Sequence, residues 1–240
     1  MQIPMLSTNK ISGYADYKQN NPQFRHLHHK DESGYKPSDK VIIAGASILG
    51  VLASLAVLAK CAKYSLKPSK MFKDIKNSYL SKVDFQAPEI IAMGVGSCAG
   101  GLLGGFAVDK NKQNRKAKLR ESVMQIGNVS IPILTVDLLV DKIFKKQSKW
   151  IRAFIGLGGV AIGVVLANVI MNKLNNWLFN EKEGRSRKIK ALDFSVHLDD
   201  YVAAASYISK SDIVHAIGRL VPVALIIPGF EAGKKTADKL

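Results

Sequence analysis

The sequence predicts an all-α fold, a multi-pass transmembrane helical bundle of about five spans with one or two interfacial amphipathic helices. Three observations carry this expectation. Residues 41–59, 90–108 and 153–172 contain none of the chain's 35 Lys and Arg or 19 Asp and Glu. At a helical rise of ~1.5 Å per residue each run reaches roughly 30 Å, the thickness of a bilayer's hydrocarbon core. Small residues recur at four-residue spacing within these runs, and lysine-rich segments bracket them.

The mean hydropathy of +0.05 is therefore an average over two unlike populations, apolar runs and charged connections. With 47% hydrophobic and 22% charged residues, a wholly disordered chain is excluded. Two cysteines, Cys61 and Cys98, form neither a disulfide framework nor a four-ligand zinc site by themselves. The net charge of +16 raises nucleic acid or anionic lipid as partners. No nucleic-acid module or exposed aromatic interleaving accompanies the charge, so the lipid bilayer and its anionic lipids are the expected partners and nucleic acid is not.

Residues 1–40 read as a polar arm, because the first apolar run starts at Val41 and nothing before it has the core of a cleaved signal. His26, His28, His29, Asp31 and Glu32 lie in this arm and read as a solvated stretch, with no metal site expected. The membrane domain is expected over 41–232, with a basic tail at 233–240. After the first span, Met71, Phe72, Ile75, Tyr79 and Val83 oppose Lys70, Lys73, Lys76 and Lys82 at helical spacing. An interfacial helix over about 69–84 follows, its lysines on lipid headgroups, with a partner-binding helix as the alternative.

After the second span, 90–108, the charged residues of 109–121 read as a loop. A third span is expected at 122–140, which carries Gln125, Asn128, Ser130, Pro132 and Asp137. The fourth covers 153–172. A charged patch from Glu181 leads to a second surface helix over about 195–209, with Leu198, Val202, Ala205 and Ile208 along one side. Asp199 and Asp200, near His197, read as acids favoured at a helix N-terminus rather than as a metal or acid/base site. The fifth span, 213–230, contains His215, Arg219, Pro222 and Pro228. The third and fifth segments read as full spans, with re-entrant segments as the alternative.

The small residues form stripes. Ala46, Gly50 and Ser54 make one, Ser97, Gly101 and Gly105 a second, Gly96, Gly100 and Gly104 a third, and Gly159, Gly163 and Ala167 a fourth. Four-residue spacing stacks each stripe on one helix face, where backbones can approach closely in lipid, the pattern of a glycine zipper. Spacing does not say whether the partners belong to one chain, a homo-oligomer or another membrane protein. The stripes also mark an internal repeat, since setting Met93 against Ile155 matches Gly94, Gly96, Ala99 and Gly101 with Gly156, Gly158, Ala161 and Gly163. ESVMQIGNVSIP from Glu121 resembles DIVHAIGRLVP from Asp212, which makes a parallel repeat of a glycine-rich and a proline-bearing span.

With five spans, the arm and the carboxyl tail fall on opposite sides, and Lys and Arg divide almost evenly between the sides. The expected amino terminus is cytoplasmic, in an integral membrane protein whose particular membrane the sequence does not specify. No nucleophile motif, phosphate loop, zinc-protease helix or dinucleotide fingerprint is present, so no catalytic residue and no cofactor is expected. The expected function is non-enzymatic, a membrane structural or assembly component. The alternative is a small transporter or channel using Asp137, His215 and Arg219, with an Asp137–Arg219 ion pair as its sharpest form.

Overall fold

The computed structural model describes residues 34–62, 85–180, 187–189, 191–195, 197, 201 and 220–237. The described chain is all-helical: α1 (Pro37–Cys61), α2 (Ala87–Val108), α3 (Lys112–Asp137, prolonged by π-helical turns over Leu138–Ile143), α4 (Lys149–Phe179), α5 (Leu192–Ser195), α6 (Val221–Ala224) and α7 (Ile226–Gly233). Four helices, α1 to α4, are long and apolar enough to cross a membrane, and Val221–Gly233 is a shorter apolar helix. This is the character of an integral membrane protein. The interfacial helix at 69–84 with its four lysines, most of the one at 195–209, the arm's histidines, and His215 and Arg219 lie outside the described residues.

The helix starts follow local rules. Pro37 and Pro88 stand in the first turns of α1 and α2, where a missing N–H costs nothing. Asp39 and Glu89 reach back to accept from the Lys36 and Gln86 amides at 3.1 and 2.8 Å. Asn111 caps α3 by accepting from the Gln113 amide, and Ser148 caps α4 by accepting from the Ile151 amide. At the end of α4, Asn180 takes the left-handed conformation (φ 50°) that closes helices.

α3 corrects the sequence expectation of a loop at 109–121, because the helix begins at Lys112. Its first turns bury Lys118, Arg120 and Glu121. Charges continue a helix into a protein interior when their partners come with them, and for Lys118 and Glu121 they do, as described below.

The helices pair as α1 with α2 and α3 with α4, each pair antiparallel. Ala46, Gly50 and Ser54 of α1 meet Gly104, Gly100 and Gly96 of α2 in that order, while Gly127 and Pro132 of α3 meet Met171 and Gly163 of α4. Between the pairs, Val51, Leu55, Ile90, Met93, Val129, Ile133, Val221 and Leu225 form a shared apolar core.

α7 overturns the expected direction of the last span. Gly229 lies against Ser97 and Gly101, and Gly233 against Gly101 and Gly105, so α7 runs parallel to α2. Just after it, Lys235 shares the Lys118 ammonium with Tyr35, which precedes α1, so the described residues before α1 and after α7 lie at the same end of the bundle. Counting apolar runs assumes that each crosses once in alternation, and hydropathy carries no record of direction.

Candidate functional site: a buried ionic cluster and glycine-faced interfaces

Two polar assemblies occupy the end of the bundle where α2 finishes and α3 starts. In the first, the fully buried Lys118 ammonium donates to Asp109 Oδ2 at 2.8 Å, to the Tyr35 hydroxyl at 2.6 Å and to the Lys235 carbonyl at 3.0 Å. Three donors are thereby spent on three acceptors, which is what a buried ammonium requires. Asp109 also accepts from the Tyr35 hydroxyl, the Asn114 side chain and the Asn111 amide. Burial works against the charge on Asp109, but these hydrogen bonds, with that of Lys118 foremost, outweigh it and hold the carboxyl well below the usual carboxylate range.

In the second assembly, the Arg187 guanidinium forms a two-pronged pair with Asp193 at 2.6 and 2.8 Å and donates through Nε to Glu121 Oε1 at 3.0 Å. Burial opposes this charge too, but Asp193 and Glu121 raise the Arg187 pKa above its ordinary value. Asn172 of α4 accepts from the Arg187 amide and donates to the Arg187 carbonyl, and Asn168 donates to that same carbonyl. Gln125 donates to Glu121 at 2.9 Å, and Lys235 lies 3.7 Å from its second oxygen, which ties this assembly to the first.

One turn deeper lies Asn128, which is 1% exposed and whose carboxamide has no hydrogen-bond partner among the described residues. Four residues on, Pro132 has no N–H, so the Asn128 carbonyl loses its helical donor as well.

All of the predicted packing residues lie on helix interfaces or buried faces. Between α1 and α2, a Cβ added at Gly50 would strike the Gly96 carbonyl and come within 3.3 Å of Gly100 Cα, and one at Gly104 would come within 2.8 Å of the Ala46 Cβ. The Ser54 hydroxyl donates to the Ala92 carbonyl across this interface at 3.1 Å. On α2's other stripe, Gly101 faces the Gly229 carbonyl, Gly105 lies against Gly233, and Ser97 both accepts from the Gly229 amide at 3.2 Å and donates to the Ile226 carbonyl at 3.3 Å. On α4, Gly163 seats Pro132, Gly159 faces Val136, and Ala167 is fully buried.

No protein family, curated protein or solved structure matches this chain.

Of the residues suggested for transport, only Asp137 is described, and it is exposed near the end of α3 rather than turned into the bundle. The paired charges that sequence reasoning missed, Asp109, Lys118, Glu121, Arg187 and Asp193, all sit outside the predicted spans. Their signal was present only as a charged tract continuing into an uncharged helix. Among the described residues no group of three or more His, Cys, Asp or Glu could hold a metal ion. Cys61 is exposed and Cys98 buried, both as free thiols. An apolar groove of about 570 Å³ opens between α1 and α2, lined by Leu49, Ala53, Val57, Ala99 and Leu103 among others.

Proposed function

We propose that the protein is a non-enzymatic membrane structural or assembly component, a rigid helical bundle whose small-residue stripes are consumed in packing within the chain. The observation that supports this most directly is the backbone contact along α2: one stripe meets α1, and the other meets α7. Dispersion and weak Cα–H···O contacts at such faces hold helices together in lipid, where no hydrophobic driving force acts between them. The buried charges fit the same reading, because the Lys118–Asp109, Arg187–Glu121 and Lys235–Glu121 pairs close one segment onto another.

A second reading, a small channel or transporter, draws on Asn128, a buried carboxamide without a partner beside the break at Pro132. Polar groups freed at membrane depth are a recurrent lining of translocation paths. Flux assays on purified protein in vesicles separate the two readings. The structural reading expects no ion or proton flux above empty vesicles, and no change with Asn128→Leu or Asp137→Asn. A flux that either substitution abolishes would overturn it.

A further inference from the structure

The turn that joins α3 to α4 carries four lysines on a short, tied loop. Its one acid, Asp141, is paired with Arg152 at 2.7 Å, and this pair closes the turn across its base. The turn is further tied by the Gln147 amide donating to the Phe144 carbonyl at 3.0 Å. Between these anchors Lys142, Lys145, Lys146 and Lys149 are all exposed, and among the described residues none has a carboxylate partner. At the other end Lys118, Arg187, Lys234 and Lys235 are each within salt-bridge distance of an acid, while Lys110 and Lys112 are exposed there without aromatic side chains of the Trp150 and Phe154 kind beside them in the sequence. The turn therefore presents four unneutralised positive charges on an ordered loop.

The patch is continuous with lipid-facing apolar side chains. Trp150 and Phe154, 60% and 67% exposed, and Ile143 and Ile151 flank the lysines on the apolar side. Aromatic rings at the edge of an apolar belt sit at the level of lipid headgroups, which puts the lysines at phosphate height. We infer that the α3–α4 turn, through Lys142, Lys145, Lys146 and Lys149, is a docking surface for anionic phospholipid headgroups. An acidic protein segment would match the charge, but it would not account for the aromatic and aliphatic side chains continuing from the patch onto the helix surfaces. The inference rests on the membrane reading of α1 to α4.

The test uses the full chain carrying Trp177→Phe, which leaves Trp150 as the only tryptophan. It is reconstituted in phosphatidylcholine vesicles with or without phosphatidylglycerol, and either lipid carries the brominated acyl chains that quench tryptophan. At matched bromine content, brominated phosphatidylglycerol quenches Trp150 more strongly than brominated phosphatidylcholine. Replacing the four lysines with Gln abolishes that preference, each lysine accounting for about fivefold in headgroup affinity, the equivalent of about 1 kcal/mol. Lys110, Lys112 and Lys116 replaced together by Gln at the opposite end leave it intact. Equal quenching by the two lipids, or a preference that survives the four Gln, overturns the inference. So does protection of the lysines from acylation by poly-glutamate but not by phosphatidylglycerol, which would indicate an acidic protein partner. Release of the protein from membranes by alkaline carbonate would instead fail the membrane reading itself.

Discussion

The Lys118 ammonium lies 2.8 Å from Asp109 Oδ2 with no solvent exposure, and the same nitrogen holds the Tyr35 hydroxyl and the Lys235 carbonyl. One side chain thus joins the segment before α1, the α2–α3 connection, the first turns of α3 and the segment after α7. A buried ion pair is weak evidence of net stabilisation, since desolvation offsets the attraction, but removing one partner strands the other.

That asymmetry gives the first prediction. Asp109→Asn leaves Lys118 buried without its counter-charge and costs about 3 kcal/mol, whereas Asp109→Asn combined with Lys118→Met costs less than the single substitution. Thermal unfolding in detergent, followed by circular dichroism, measures both. A double variant less stable than the single one would count against a buried pair.

The second prediction concerns pH. Because the folded-state pKa of Asp109 is depressed, its contribution is fully present above the unfolded value of ~3.9. It is lost only as pH falls below that value toward the folded one. The stability gap between wild type and Asp109→Asn should therefore hold constant from neutral pH to about pH 5 and narrow in more acidic solution. Denaturation midpoints of the two proteins across that range test this, and a gap that widens on acidification would contradict it.

The third concerns packing. A Cβ at Gly101 meets the Gly229 backbone, including its Cα at 2.8 Å, whereas Gly158 and Gly45 have nothing within 4 Å. Gly101→Val should destabilise by about 3 kcal/mol or more, since backbone cannot move aside as a side-chain tip can. Gly158→Ala should be neutral or gain about 0.5 kcal/mol from helix propensity. Resistance to unfolding in mixed detergent ranks the variants, and equal losses at Gly101 and Gly158 would argue against the close contact.

The fourth concerns sidedness. Cys61 ends α1 at the end of the bundle opposite Lys235, and it is exposed where Cys98 is buried. A membrane-impermeant maleimide should label Cys61 from one side of sealed vesicles, while epitope tags before Met1 and after Leu240 are both reached from the other side, and Cys98 stays unlabelled until denaturation. Tags accessible from opposite sides would contradict the parallel course of α2 and α7.

Much of the bundle was legible in the sequence. Uncharged runs of bilayer length and four-residue stripes are properties of consecutive residues, and helix geometry converts them into spans and faces without reference to the rest of the chain. The polar half of α3 was not legible. Lys118 and Glu121 resemble loop charges until Asp109, Tyr35 and Arg187 are brought beside them. Asp137 drew attention for its position inside an apolar run, but the π-helical turns that follow it carry the helix on and leave it exposed.

The sequence by itself determined that the chain is helical and apolar over bilayer lengths, and which faces are small enough for backbones to meet. Only the tertiary structure decided which stripes meet, that α7 runs alongside α2 in the same direction, and that Lys118, Arg187 and Lys235 are paired internally while the lysines of the α3–α4 turn have no carboxylate partner among the described residues. The reason is physical. Hydrophobicity and helical periodicity are written residue by residue, whereas the direction of a packed helix and the neutralisation of a buried charge depend on contacts between residues far apart in the chain.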